Sequence, residues 1–281
     1  MVFDCFTFFN ELDLLELRLK LLDGVVDKFV ICESNFTHSG KTKPYNFQDN
    51  QQRFKQWEDR ILYLPIEQSI EGLSFDKVKT YSPTNGSWIL ENEQRASLLY
   101  AGELMGDDDL VLVGDLDEMP DPRAVAALSQ LGIINKDTNA VSLSLLFHYY
   151  YMNCQMEGYD RLWNGTVACL SDYFKKATPQ YIRDNRNNYK RLPNAGWHFS
   201  YLGGLEKVKT KIQSFAHTEF NRPDIISEEN ILNAINNGED IFKREGISYK
   251  FVDPTNYPEP IRSLMLEYPQ FVKNEVTVHN T

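Results

Sequence analysis

Long apolar runs are missing from this chain, and so is a basic segment at its start. The 281-residue sequence nowhere contains the roughly 18 consecutive apolar residues typical of a membrane-spanning helix. Residues 1–9 look like a strand and include an acid, Asp4, where a targeting signal would carry basic residues. We therefore expect no membrane span and no targeting segment.

Cysteine and positive charge are also scarce. Four widely spaced cysteines favour reduced thiols packed as small hydrophobic groups over a disulfide framework. Lys and Arg number 29 against 40 Asp and Glu, a net charge of −11, so no broad basic stripe is available for a nucleic-acid backbone. We expect no nucleic-acid partner. The chain does have 42% hydrophobic residues, enough for the core of an ordinary globular protein.

The most informative stretch is an apolar run at 110–114 that leads into Asp115, Leu116 and Asp117. Open α/β sheets bind ligands at the carboxyl ends of their strands. Two carboxylates at such an end predict a site for Mg²⁺ or Mn²⁺ carrying a substrate diphosphate. The alternative is a solvated acidic loop. The strongly apolar strand before the pair favours the binding site.

Strand and helix patterns alternate over the first half, which predicts a parallel sheet. The second half is less regular, and residues 150–195 are simply rich in aromatic and polar side chains. We expect one domain over 1–281, with a nucleotide-binding half of about 1–122 and an acceptor-facing half of about 123–281. The predicted elements are strands at 2–9, 25–33, 61–64 and 140–147, a helix from an Asn10 N-cap to Gly24, a helix at 91–105, helical spacing of Val208, Ile212 and Phe215, and a helix between Ser227 and Gly238.

Several sequence blocks, in chain order over about residues 3 to 221, carry a resemblance to a known family. They include Asp4-Cys5-Phe6, Glu11-Leu12-Asp13-Leu14-Leu15-Glu16-Leu17-Arg18-Leu19, Gly114-Asp115-Leu116-Asp117-Glu118-Met119-Pro120, Trp163-Asn164-Gly165, Gly196-Trp197-His198-Phe199-Ser200-Tyr201 and Lys211-Ile212-Gln213-Ser214-Phe215-Ala216-His217-Thr218-Glu219-Phe220. The chain resembles glycosyltransferase family 17, and the ordered set is far more specific than two carboxylates alone.

The resemblance implies an α/β, GT-A-like fold with a Rossmann-like, mostly parallel central sheet flanked by helices. It also implies inverting transfer of a sugar, GlcNAc from the nucleotide sugar UDP-GlcNAc, to a glycan or glycoprotein hydroxyl, with Mn²⁺ or Mg²⁺. Because the sequence shows no anchor, we expect a cytoplasmic enzyme of microbial or viral origin. The alternative is a catalytically inactive module of the same fold that binds a nucleotide sugar or a glycan.

The metal side of the expected site centres on the two aspartates. Asp117 is the first choice for direct ligation, and Asp115 is expected to contact the ribose, or the metal through water. On the resemblance, His198 is the candidate for a further ligand and His217 is second. The alternative for His198 is a core histidine bonded to a backbone carbonyl.

The acceptor side needs a general base, which removes the proton of the attacking hydroxyl. Glu219 is the candidate, with Asp172 and Asp184 behind it; each could instead be a surface or turn acid. Trp163 is expected to stack on a donor or acceptor sugar, although a core position is the alternative.

Nucleotide binding is assigned to three further side chains. Glu33 is expected to accept hydrogen bonds from uracil or ribose, and Arg95 to pair with phosphate or with the aspartates. Lys211 is a candidate for the diphosphate. Arg183 and Arg186 fit either a closing loop or a solvated turn.

Overall fold

A mixed sheet runs through the protein. The computed structural model describes residues 1–135, 138–158 and 161–274, and these contribute ten strands to the sheet. The strands are β1 (Val2–Phe8), β2 (Lys28–Ser34), β3 (Ile61–Ile66), β4 (Leu110–Asp115), β5 (Glu118–Pro120), β6 (Ala140–Tyr149), β7 (Cys154–Met156), β8 (Leu162–Leu170), β9 (Lys190–Ser200) and β10 (Tyr249–Phe251).

Helices connect most of these strands. They are α1 (Leu12–Leu22), α2 (Asn46–Asp49), α3 (Gly86–Ala96), α4 (Pro122–Gln130), α5 (Ser171–Ala177), α6 (Pro179–Asp184), α7 (Gly204–Ser214), α8 (Pro223–Ile226), α9 (Glu228–Asn237) and α10 (Ile261–Glu267). Short 3-10 segments occupy Gln51–Trp57, Ser97–Leu104, Thr218–Phe220, Pro254–Asn256 and Pro269–Phe271. None of the helices in the described ranges is long and apolar enough to cross a membrane.

The strand order shows where the sheet changes character. Along the main path the order is β10-β7-β6-β8-β4-β1-β2-β3. Strands β3, β2, β1 and β4 run parallel, as their β-α alternation predicts. From β8 onward the path is antiparallel, while β9 lies parallel to β6 and antiparallel to β5. The α/β class is confirmed, and the parallel pairing is concentrated in the first half.

Alternate side chains of the parallel strands pack on opposite faces of the sheet. In β1, Phe6 joins the cluster under α1, α4 and α10, whereas Cys5 joins the cluster under α5, α6 and Ser97–Leu104. All four cysteines are free and buried. Burial raises the pKa of Cys32 and Cys154 to about 12, so both thiols stay protonated at neutral pH.

Helix ends were predicted with mixed success. The prediction for α9 is confirmed, because Ser227 Oγ accepts from the backbone N–H of Asn230 at 3.3 Å and Gly238 adopts a left-handed φ of 68°. The Asn10 N-cap is wrong. Glu11 holds the cap position without a side-chain hydrogen bond, because the Asn10 carbonyl turns to accept from Leu12.

Strands β8 and β9 lie in the stretch for which the sequence predicted no elements. β8 pairs with β4, and β9 pairs with β5 so that His198 lies opposite Glu118. The second half of the chain thus carries its aromatic motifs to the loop that follows β4.

Candidate active site

A cavity of about 710 Å³ opens at the carboxyl ends of β1 and β4. Its lining includes Phe8 from β1, Asp115 from β4, His198 from β9 and Lys211 from α7. Cavities that take small molecules have volumes of roughly 300–1,000 Å³. The cavity therefore has room for a substrate at the position where open α/β sheets bind ligands.

The loop after β4 is held from below by Arg18, a completely buried residue of α1. Its Nη1 donates to the backbone carbonyls of Asp115, Leu116 and Glu118 at 3.0, 3.0 and 2.6 Å. The rest of the guanidinium makes a bidentate pair with Asp4, which is also buried, at 2.8 and 2.7 Å. This pair fixes the path of the backbone that carries the two aspartates.

Asp115, at the end of β4, faces two arginines. Arg95 of α3 donates to its Oδ1 at 3.1 Å, and Arg183 of α6 donates to its Oδ2 at 2.7 Å. Burial alone raises the pKa of Asp115, but Arg183 and Arg95 outweigh it and hold that pKa well below its usual value. Asp115 is therefore ionised, with both oxygens already paired.

Asp117 faces a lysine and a histidine instead. Nζ of Lys211 donates to Oδ2 at 2.7 Å, and Nε2 of His198 lies 3.3 Å from Oδ1. Burial raises the pKa of Asp117, yet Lys211 and His198 together hold it well below its usual value. Lys211 also reaches Glu11, with 3.5 Å between Nζ and Oε1.

Glu118 anchors the surroundings of the aspartates from a completely buried position. Arg183 donates to both of its oxygens at 2.8 and 2.6 Å, and Trp163 Nε1 donates to Oε1 at 2.7 Å. A Cβ at Gly165 would lie 2.8 Å from the Glu118 carboxyl carbon, so only glycine leaves room there. Arg183 is thus part of the site, and the solvated-turn alternative for it is wrong.

An aromatic wall borders the two carboxylates of the loop. The ring of Trp163 stacks on Phe147 with centroids 5.7 Å apart, and His198 lies 4.7 Å from Phe147 and 5.4 Å from Trp163. The guanidinium of Arg186 lies 5.4 Å from the centre of the Trp163 ring. This wall joins an apolar face to positive charge, a combination suited to a sugar attached to phosphate.

A second cluster lines the cavity beyond the carboxylates. His217 Nδ1 lies 2.8 Å from Glu219 Oε1, and the His217 ring meets Trp88 of α3 edge-on with centroids 4.7 Å apart. Phe215 and Phe220 flank the same imidazole at 5.7 and 6.0 Å. We call these residues, His217, Glu219, Trp88, Phe215 and Phe220, the aromatic end of the cavity.

Three acids singled out from the sequence have local partners. Glu33 is completely buried and accepts from Lys43 Nζ at 2.8 Å, from Tyr63 and from the first backbone N–H groups of α2. Asp172 is half exposed and pairs with Lys176 on the surface. Asp184 does line the cavity and accepts from Gln180 at 2.8 Å.

The sequence of the whole chain decides its family. A model of glycosyltransferase family 17 matches residues 1–277. The chain belongs to this family. Beta-1,4-mannosyl-glycoprotein 4-beta-N-acetylglucosaminyltransferase of Rattus norvegicus is 24% identical over 93% of this chain, and that of Homo sapiens is 25% identical over 80%. The match covers 52% and 45% of those two proteins, so the chain spans about half the length of these relatives.

Solved structures give a weaker likeness. A mannosyltransferase from Pyrobaculum calidifontis in complex with GDP-Man and Mn²⁺ is 12% identical, with a TM-score of 0.41 over 77% of this chain and 63% of that one. Glucosyl-3-phosphoglycerate synthase from Mycobacterium tuberculosis is 13% identical, with a TM-score of 0.35 over 70% of this chain and 69% of that one. The family assignment rests on the sequence match.

The side chains of the cavity decide whether this family 17 chain can hold a divalent metal. Across residues 1–135, 138–158 and 161–274, no three His, Cys, Asp or Glu side chains are grouped to hold an ion. Mg²⁺ and Mn²⁺ that bind together with a diphosphate need only one or two carboxylates from the protein. Asp117 offers one such carboxylate, and the imidazole of His198 lies beside it. Asp115 is less available, because both of its oxygens face arginines. The residues fit a metal shared with a diphosphate.

Three important residues of the site were missed or left open by sequence reasoning. Arg18 is a charged residue within the apolar stripe of α1, and that placement was its signal. Glu118 directly follows Asp117 but resembles any acid of a polar loop. Arg183 lies 68 residues from Asp115, and only the fold brings the two together.

Proposed function

We propose that this chain is a metal-dependent, inverting glycosyltransferase that moves GlcNAc from UDP-GlcNAc to a hydroxyl of a glycan or glycoprotein. The observation that carries the proposal is the set of Asp117, His198 and Lys211, which meet in a substrate-sized cavity at the carboxyl ends of the parallel strands. The family match supports the reaction class. The names of the curated relatives support the GlcNAc donor.

The cationic side chains of the cavity suit a leaving diphosphate. Lys211, Arg95 and Arg183 line the cavity and each pairs with a carboxylate there, so their charges are oriented toward it. Preorganised charge of this kind stabilises negative charge that develops as the sugar–phosphate bond breaks. Asp117 and His198 would hold the metal, which when bound would act as a Lewis acid on the diphosphate.

The sugar of the donor is assigned to the aromatic wall. Trp163 cannot rotate freely, because its Nε1 is tied to Glu118 and its ring packs on Phe147. A fixed indole offers a flat apolar surface to a sugar ring. We assign Asp115 to the ribose, or to the metal through water.

Calorimetric titration of UDP and UDP-GlcNAc, with and without Mn²⁺, tests the proposal on the full chain. Binding should require Mn²⁺ and should be lost in Asp117→Ala. Turnover of UDP-GlcNAc by Asp117→Ala should be about 10³-fold slower than by the wild type, which corresponds to about 4 kcal/mol of transition-state stabilisation by the metal. The matched control is Asp107→Ala, which removes an exposed carboxylate paired with Lys175 on the surface. It should bind and turn over as the wild type does.

Two results would contradict the proposal. If neither UDP nor UDP-GlcNAc binds under any condition, the chain has no nucleotide-sugar site. If UDP-GlcNAc binds with Mn²⁺ but is never transferred or hydrolysed, the chain is a binding module with the fold of a transferase.

A further inference from the structure

The carboxylate of Glu219 holds the imidazole of His217 in one orientation. An ionised carboxylate can only accept hydrogen bonds, so Nδ1 of His217 is the donor in the 2.8 Å contact with Glu219 Oε1. The proton on Nδ1 leaves the lone pair on Nε2. Nε2 has no hydrogen-bond partner within the described parts of the chain, and the His217 side chain is 49% exposed.

Glu219 is less available to a substrate than its partner. Its side chain is 18% exposed, and its Oε1 is engaged by His217. Its other oxygen, Oε2, is buried and has no partner among the residues described. A hydroxyl that enters the cavity therefore reaches His217 before it reaches the carboxylate.

The other imidazoles of the cavity are already engaged. His38 Nε2 lies 2.8 Å from Gln94 Oε1, and its Nδ1 lies 3.8 Å from Glu91. His198 Nε2 is directed at Asp117, and its Nδ1 is buried. Of the histidines that line the cavity in the described ranges, His217 has the most exposed side chain, at 49% against 23% for His38 and 10% for His198.

The position of His217 along the cavity fits the stereochemistry of inversion. Trp88, which touches His217, and Arg95, which holds Asp115, are both on α3 and seven residues apart. Seven residues are two helical turns, or about 10 Å along the axis. A separation of that size along α3 is enough for one sugar ring, and inversion needs the base on the side of the sugar opposite the diphosphate.

The surroundings of His217 also suit the acceptor. Trp88, Phe215 and Phe220 place three aromatic rings within about 6 Å of the imidazole centre. Rings of this kind pack on the apolar face of a sugar and leave its hydroxyls free to bond elsewhere. The aromatic end thus favours a sugar hydroxyl as the group brought to Nε2.

We infer that the aromatic end of the cavity is the acceptor subsite, that His217 is the catalytic base there, and that Glu219 is its positioning residue. The inference rests on the proposed function. The acceptor O–H bond breaks and its proton moves to Nε2. The oxygen electron pair forms the new bond to the anomeric carbon, while the pair of the old C–O bond leaves on the diphosphate of UDP. His217 becomes an imidazolium held by Glu219 and later releases the proton to water.

Release of UDP from UDP-GlcNAc, with water as the acceptor, tests this inference without knowledge of the natural acceptor. The proteins are the full-chain wild type, His217→Ala and Glu219→Gln, with Mn²⁺ present. Loss of a general base costs about 10²- to 10⁴-fold in rate. His217→Ala should fall by that factor, should bind UDP as tightly as the wild type, and should recover part of the rate when free imidazole is added.

Glu219→Gln separates positioning from a purely structural role. Its amide can donate to Nδ1, which would place the ring proton on Nε2 and block the base. We expect kcat to fall at least about 10²-fold with KM for UDP-GlcNAc unchanged. Glu219→Asp, which keeps the carboxylate, should regain part of the rate. The control is Asp224→Asn. Asp224 is an exposed acid of α8 that pairs with Arg222.

The outcomes distinguish the inference from the proposed function. If the wild type releases no UDP, either with water or with a panel of glycan acceptors, the proposed function fails and the inference fails with it. If the wild type releases UDP and His217→Ala does so at the same rate, only the inference fails. A slow His217→Ala variant that imidazole does not rescue, or that has lost UDP binding, would likewise contradict a base at this position.

Discussion

At the scale of single residues, the core of the site is a set of buried and half-buried ions that pair with one another. Asp115 and Glu118 share Arg183, and Asp117 holds Lys211. Breaking one member of a buried pair leaves an uncompensated charge and typically costs about 3–5 kcal/mol. The side chains are therefore held where they are by electrostatics as much as by packing.

His148, a completely buried residue of β6, should give the protein an acid-sensitive stability. Its Nδ1 contacts the Leu146 carbonyl at 2.9 Å, and its Nε2 contacts the Tyr257 hydroxyl at 3.0 Å. Burial lowers the pKa of His148 to about 3. In the unfolded chain His148 takes up a proton near pH 6.5, whereas in the folded protein it stays neutral down to about pH 3. The free energy of unfolding is therefore highest above pH 6.5 and decreases as pH falls toward 3. Between pH 7.5 and 5 the loss should be about 2 kcal/mol.

Urea unfolding at both pH values checks this expectation. In His148→Gln the free energy of unfolding should be lower at pH 7.5 but should fall less on acidification. Tyr257→Phe removes the hydrogen-bond partner and keeps the imidazole, so it should retain the steep dependence. A His148→Gln protein with the same pH slope as the wild type would show that another group is responsible.

The sequence could predict Asp115 and Asp117 because an apolar strand followed by acids is a local pattern. It offered Arg95 as a partner for phosphate or for the aspartates, and Arg95 does donate to Asp115. It did not predict Arg183 or Lys211 as their partners. Arg183 and Lys211 come from α6 and α7, far along the chain, and each looks like an ordinary surface cation in its own segment. Glu33 shows the reverse case. Its place at a strand end suggested a nucleotide contact, but in the structure its carboxylate accepts hydrogen bonds from α2 and from Lys43.

At the scale of elements, α1 acts on the active site from a distance. It carries Arg18, whose side chain connects β1, through Asp4, to the carbonyls of the loop after β4. A helix in the core thus sets the orientation of Asp115 and Asp117.

Arg18→Met should both destabilise the fold and weaken UDP binding. It leaves Asp4 buried without its partner, which should lower the free energy of unfolding by about 3–5 kcal/mol. The double variant Asp4→Leu/Arg18→Met replaces the whole pair with apolar groups and should recover most of that loss. UDP affinity should stay low in both, because the three carbonyls still lack their donor.

Chemical denaturation and calorimetry with UDP and Mn²⁺ separate the two effects. If the double variant recovers UDP affinity along with stability, Arg18 serves the fold alone.

The elements of the second half explain why this arrangement was hard to predict from the sequence. Strands β8 and β9 contain too many polar and aromatic residues for a clear period, and their pairing with β4 and β5 is long-range.

At the scale of the whole molecule, metal and nucleotide should bind as a unit. Lys211 occupies one oxygen of Asp117, so a metal alone must displace an ammonium group from its carboxylate. A diphosphate removes this conflict because it offers Lys211 another anion. Coupling of this kind is reciprocal: UDP should tighten Mn²⁺ binding by the same factor by which Mn²⁺ tightens UDP binding.

Electron paramagnetic resonance of Mn²⁺ measures the free and bound ion directly. The wild type should bind Mn²⁺ weakly alone and more tightly with UDP. Lys211→Met should bind Mn²⁺ more tightly in the absence of UDP and should lose most of the coupling. Lys175→Met, which removes a lysine paired with surface Asp107, is the control and should behave as the wild type. Unchanged Mn²⁺ affinity in Lys211→Met would contradict the competition.

The ion pairs of Asp115 and Asp117 also bear on how a catalytic cycle ends. On the proposed function, a spent nucleotide diphosphate would be held by cations that have a second anion within reach on the protein itself. As the diphosphate moves out, Lys211, Arg95 and Arg183 can return to the two aspartates and need not stand uncompensated in a buried site. Product release is often the slow step of an enzyme. If UDP is the product, as proposed, Asp115 and Asp117 would compete with it for these cations, which should limit product inhibition by bound UDP.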